Sequence, residues 1–124
     1  MQYPGMSTST LSERIAEAAR EMQGETGAQH TMDKAVALAV RLVDHCDECG
    51  VSLETADNQI DTAAATSDIV RQIDALQYQY DEGPCLDAIR TSVVVYSPDL
   101  AEDDRWPTWA PTVVAETGVR SMLR

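Results

Sequence analysis

Leu76–Ser92, LQYQYDEGPCLDAIRTS, followed by the apolar run Val93–Tyr96 and by Ser97–Trp109, SPDLAEDDRWPTW, is the stretch from which the rest of the chain is read. It sets an acidic turn, a helix start and both tryptophans around one Val-rich strand, in a protein with two Trp, four Tyr and no Phe. Pro84 suits the first turn of a short helix running through Ile89, because proline lacks only an N–H that a helix start leaves unbonded anyway. Val93-Val94-Val95-Tyr96 has the β-branching and length of the best strand in the chain. Pro98, Pro107 and Pro111 then interrupt the backbone, so the next predicted helix is Thr112 to Glu116, ending at Gly118. Val119, Ser121 and Leu123 alternate with Arg120, Met122 and Arg124 as a last strand.

Working back toward the start, Ser67-Asp68 can cap a helix that carries Ile69, Val70, Ile73 and Leu76. Before it, Val51–Glu54 and Ile60–Ala64 alternate on either side of the turn residues Asp57-Asn58, which predicts a hairpin. Met32, Val36, Ala39, Leu42, Val43 and Cys46 recur at helical spacing. Thr10-Leu11-Ser12-Glu13 has capping-box spacing, and Leu11, Ile15, Ala18, Ala19 and Met22 form one stripe that closes before Gly24. The two segments predict an α-hairpin or one broken helix, joined by a polar link at 24–31. Residues 1–8 are expected to be a disordered, frayed end. The organisation expected is therefore a tail (1–8), a helix and linker (9–31) and one domain (32–124).

Composition narrows the function classes. The 124 residues hold 21 acidic against nine basic side chains, a net charge of −12. Such a potential repels phosphate backbones and anionic lipid, which argues against direct nucleic-acid binding and against a membrane role. The opening MQYPGMSTST has no basic, apolar leader pattern, and no apolar run approaches the roughly 20 residues of a membrane span, so a cytoplasmic protein is expected. Three cysteines point to reduced thiols rather than a disulfide framework.

Three groups of residues could carry chemistry. Cys46 and Cys49 form a CxxC that suits a metal or a redox pair, with Cys85 or His30 as further ligands, but no second paired element exists and buried packing is the reading we favour. Cys85 sits in a predicted first helical turn, where the helix dipole favours thiolate, whereas Asp81, Glu82 and Asp87 oppose it, so no catalytic residue is assigned. Glu82 reads as helix-start chemistry rather than a general acid. Trp106 and Trp109, one helical step apart beside Asp103, Asp104 and Arg105, could close over a small-molecule pocket that Tyr96 and Ser121 would flank. Equally, both tryptophans could staple an irregular loop to the core. No phosphate-binding loop is present and no cofactor is predicted.

CDECGVSL, ATSDIVRQIDALQY, EGPCLDAIRT, SPDLAEDDRWPTWAP and GVRSML follow one another between Met32 and Arg124 in an order that resembles the GAF domains which actinobacteria join to RNA-binding ANTAR domains. The resemblance implies an α/β (α+β) fold with a GAF-like antiparallel sheet flanked by helices, an N-terminal helical hairpin that commonly dimerises, and a ligand pocket with Cys85 of EGPC in its wall. It also implies that the fold is incomplete at the C-terminus: a strand expected between Val51–Glu54 and Val119–Arg124 is not in this sequence, which would leave two sheet edges open. The expected function is a non-catalytic regulatory module in signal transduction or transcription regulation. It would bind an unknown small molecule, form a homodimer or associate with a homologous GAF protein, and pass ordering of the Cys85 helix and the Trp106–Trp109 segment to the N-terminal helices by population shift. The alternatives are a purely structural dimerisation partner, or a thiol redox or metal switch at Cys46 and Cys49.

Overall fold

In the computed structural model, which describes residues 10–23 and 27–124, the chain is a mixed α+β protein. Its elements are α1 (Leu11–Gln23), α2 (Ala28–Leu42), β1 (Gly50–Glu54), β2 (Ile60–Ala65), α3 (Asp68–Tyr80), α4 (Pro84–Thr91), β3 (Tyr96–Ser97), a 3-10 turn at Leu100–Glu102, α5 (Trp109–Thr117) and β4 (Met122–Leu123). The expected tail at residues 1–8 and part of the expected link fall outside the described residues. Among the described residues, no helix is long and apolar enough to cross a membrane.

The local signals at the helix ends act largely as their chemistry requires. Thr10 Oγ1 accepts the Glu13 N–H at 3.2 Å, which is half of the capping box that opens α1. Pro84 occupies the first turn of α4, and Gly118 closes α5 in the left-handed region at φ 75°. Two starts are earlier than predicted. α2 begins at Ala28 rather than Met32, and α5 at Trp109 rather than Thr112, because Pro111 falls in the first turn, where its missing N–H costs nothing.

The strands form two separate antiparallel ribbons, β1 with β2 and β3 with β4, with no strand joining β1 to β4 among the described residues. A bulge between Val51 and Ser52 leaves Ala63 without a partner on β1. The backbone carbonyls there are taken up by side chains: Gln29 Nε2 donates to Ala63 O at 2.8 Å and Arg71 to Thr62 O at 3.0 Å. The strand expected at Val93–Tyr96 shrinks to Tyr96–Ser97. α4 continues to Thr91 and Ser92 takes the left-handed cap at φ 57°, so Val93 and Val94 stand 62% and 72% exposed. Their β propensity finds no partner strand to act on. The final strand likewise reduces to Met122–Leu123, with Val95 and Arg124 exchanging both backbone hydrogen bonds at 2.8 Å.

The main core lies where α3 meets α5: Ile73, Leu100, Trp106, Trp109, Ala110 and Val113 pack together, with Leu76, Tyr80, Val95 and Met122 around them. Trp106 and Trp109 meet edge to face, ring centroids 5.7 Å apart. Their indole N–H groups are both bonded, Trp106 to Asp87 Oδ2 at 2.9 Å and Trp109 to Ile73 O at 3.1 Å. Glu82 does supply helix-start chemistry, but for α5: its Oε1 accepts the Thr108 and Trp109 N–H groups at 2.9 and 3.1 Å. Replacing Trp109 with Ala is therefore expected to cost about 3–5 kcal/mol in urea unfolding, and Trp109→Phe clearly less, since a ring still fills the space.

Candidate functional site

At the centre of the molecule a single carboxylate gathers groups from both ribbons. Asp74, on the buried side of α3, has no exposed surface. Its Oδ2 accepts Thr62 Oγ1 at 2.8 Å and Ser52 Oγ at 3.4 Å, from β2 and β1. Its Oδ1 accepts Arg124 Nη2 at 2.6 Å and Gln77 Nε2 at 3.1 Å. Gln77 is itself fully buried and receives the Cys85 N–H on Oε1 at 2.8 Å, so the first turn of α4 is wired to the same carboxylate. Tyr78 closes the circuit through Thr62 at 3.1 Å, and burial pushes its phenol above the usual range.

Gly83 is what allows this approach. It lies at φ 141°, and a Cβ there would fall 2.2 Å from Gln77 Oε1, so only glycine fits between the acidic turn and the glutamine. The EGP segment thus owes its glycine to Gln77, a contact between residues that the sequence separates by six positions.

The structure disperses the residues expected to line a pocket. Cys85 is 3% exposed, and Trp106 and Trp109 are 2% and 0% exposed inside the core, whereas Tyr96 and Ser121 lie on the surface. The tryptophans staple their loop rather than stand over an opening. Arg105 covers the Trp106 ring at 4.4 Å, holds the Tyr96 carbonyl at 2.8 Å and pairs with Asp103 at 2.6 Å. That guanidinium holds the Asp103 carboxyl well below the usual carboxylate range.

Cys46 and Cys49 are both partly exposed. α2 ends at Leu42, so Cys46 sits in the following turn, after His45 at φ 63°, outside the helix that its spacing predicts and not packed away as expected. Burial pushes both thiols up; Cys49, Asp47 and Glu48 push Cys46 further, while Arg124 partly offsets the effect at Cys49. Among the described residues, no group of three or more His, Cys, Asp or Glu side chains is placed to hold a metal ion.

An apolar concavity lies elsewhere, along the α1–α2 hairpin. It is a groove of about 440 Å³ lined by Ile15, Ala18, Met22, Ala35, Leu38, Ala39, Leu42 and Val43, with Arg14 and Asp44 at its rim. Among the described residues, α1 packs chiefly on α2, which in turn lies on β2. Ile15 is left 61% and Val43 55% exposed. Arg14 ties the hairpin together, donating to Leu42 O at 3.1 Å and pairing with Asp44 at 3.3 Å. The stripe on α1 was legible in the sequence, but its exposure was not, since periodicity does not say how many elements cover an apolar face.

Two outcomes are expected from this arrangement. Asp74→Ala should destabilise the protein by about 3–5 kcal/mol in urea unfolding, with part of the loss recovered by adding Arg124→Met, because the partly buried guanidinium would otherwise be left without its counter-charge. As pH falls below about 4, the contribution of Asp103 should disappear: a lowered folded pKa stabilises above the unfolded value and is lost through the folded one. The urea midpoint of Asp103→Asn should accordingly depend less on pH over that acid range than that of the wild type.

Compared with models of known families, with curated proteins and with solved structures, the chain matches none.

Proposed function

We propose that this chain is a non-catalytic regulatory module of the GAF type, acting in signal transduction or transcription regulation in the cytoplasm, and that its working surface is the apolar face of the α1–α2 hairpin. The observation that carries the reading is the exposure of Ile15 and Val43 beside an aliphatic groove, in a protein whose tryptophans are all buried. Contiguous apolar surface of this kind marks a contact site. Raised thiol pKa values at Cys46 and Cys49 favour this over a redox or metal switch, because the thiolate is the reactive form.

Hydrogen bonds link the elements that such regulation would use. The start of α4 reaches Gln77, Gln77 reaches Asp74, and Asp74 holds both ribbons, so a small molecule that shifted α4 would disturb the element on which α2 rests. A second reading is association with a homologous chain by strand addition. It is favoured by β4, where Leu123 lies beside the doubly bonded Val95–Arg124 pair and therefore turns its own N–H and C=O to the outer edge.

The test is native mass spectrometry of the wild type and of Ile15→Glu/Val43→Glu. Both substitutions fall on exposed positions, so the thermal midpoint should stay within a few degrees. The wild type should carry a bound small molecule, a homologous chain or a second copy, and the double variant should lose whatever chain is bound. A wild type that is bare and monomeric at high concentration would overturn the reading.

A further inference from the structure

Thr91-Ser92-Val93-Val94-Val95-Tyr96-Ser97 carries no charge in a chain of net charge −12, and it contains neither Pro nor Gly. Three consecutive valines and a tyrosine give it the β propensity from which a strand is predicted, yet only Tyr96 and Ser97 form one. Ser92, Val94 and Tyr96 would share one face of a fully extended strand, and all three are exposed, Val94 by 72% and Tyr96 by 58%. Among the described residues, Val93 and Val94 make no hydrogen bond to another part of the backbone. The run therefore offers an apolar face and free peptide groups together.

Charge says what the run can pair with. In a stack of identical strands in register, each side chain meets its own copy at every rung, about 4.8 Å away, so a charge anywhere in the run would be set against itself. None is present between Arg90 and Asp99, and the ladder-breaking Pro98 falls just outside the seven residues. The nearest cation, Arg90, is matched by Asp81, and the next carbonyl along the strand, Tyr96 O, is held by Arg105 at 2.8 Å. By contrast, the uncharged aliphatic run Ala35–Val40 lies inside α2, where helical bonds already use its peptide groups. We infer that copies of this chain assemble through Thr91–Ser97 as a cross-β stack, with the Ser92–Val94–Tyr96 row as the dry face between two sheets.

Two terms set the rate of assembly. Growth of the stack requires Val95–Ser97 to leave the β3–β4 ribbon, which is held by two paired positions and the Val95–Arg124 exchange. So short a ladder opens at a lower cost than the α3–α5 core. The opposing term is the charge of the rest of the molecule, since a stack brings chains of net −12 side by side. That repulsion reaches about 10 Å at 0.1 M salt and much less at 0.5 M, so assembly should quicken as salt rises, opposite to an association held by ion pairs.

The full chain, shaken in about 50 mM and about 500 mM NaCl, tests this by thioflavin T fluorescence, fibre diffraction and mass spectrometry of the protease-resistant core. The expected result is fibrils with a repeat of about 4.7–4.8 Å, a resistant core that includes residues 91–97, and a lag shortened roughly threefold or more at the higher salt. Val94→Lys, at an exposed position, should lengthen the lag about tenfold with an unchanged circular dichroism spectrum, whereas Val94→Thr, uncharged and β-branched, should stay within about threefold of the wild type. Absence of fibrils at both salts, a core that excludes 91–97, a lag that lengthens with salt, or equal lags for Val94→Lys and the wild type would overturn the inference. The core is mapped on the unaltered chain, so it decides the matter even where Val94→Lys does not fold. Thr91–Ser97 and the hairpin face belong to different elements, and the native spectrum tests the latter separately.

Discussion

The carboxylate of Asp74 is the constraint on which the arrangement of the rest depends. A charge with no exposed surface persists only where it is paired and its lone pairs are filled, and here four donors do so: Ser52 on β1, Thr62 on β2, Arg124 just after β4 and Gln77 on the same helix as Asp74. Neither two-stranded ribbon could hold its place alone, since an isolated hairpin is marginal in water. Ser52 and Thr62 anchor one ribbon to α3 and Arg124 anchors the other, so the ribbons are held near each other without being hydrogen-bonded to each other. A salt bridge and a few hydroxyls take the position that a continuous ladder would otherwise occupy.

Around that polar centre the molecule divides its apolar contacts unevenly. The α3–α5 side has large aromatic area, closed indole N–H groups and a Glu82 carboxylate capping the helix that carries Trp109. Elsewhere α2 rests on β2 and, among the described residues, α1 packs chiefly on α2. The large aromatic packing therefore lies at the α3–α5 contact rather than in the α1–α2 hairpin. The hydrogen bonds running from α4 through Gln77 to Asp74 connect the two sides physically. They bias one another only to the extent that this network has two arrangements.

Much of the secondary structure was legible because its signals are local. Thr10 and Glu13, Pro84, Asn58 and Gly118 act through bonds or dihedrals within a few residues, and each is found in the role its chemistry suggests. Val93–Tyr96 shows the limit: β-branching favours a strand only if a neighbour offers a ladder, and the left-handed cap at Ser92 together with a partner of two residues left Val93 and Val94 in water. The residues expected at a pocket failed to assemble for a similar reason. Trp106 and Trp109 were placed correctly as an adjacent pair, but whether an aromatic pair faces a ligand or a core depends on what arrives from elsewhere in the chain, here Asp87, Ile73 and Leu100.

The sequence by itself determined the Thr10 cap of α1 and the Gly118 end of α5, the hairpin at Asp57-Asn58, the amphipathic stripe of α1 and a strongly acidic composition, all properties of residues and their near neighbours, whereas Ser67, expected to cap α3, stands at its start without a side-chain capping bond. Only the tertiary structure decided that Asp74 is buried, that Gly83 makes room for Gln77, that Glu82 caps a helix 27 residues away and that Ile15 is left uncovered. Each of these depends on groups distant in sequence coming within a hydrogen bond or a van der Waals radius of each other. Periodicity records which face of an element is apolar, and packing alone settles what, if anything, lies against it.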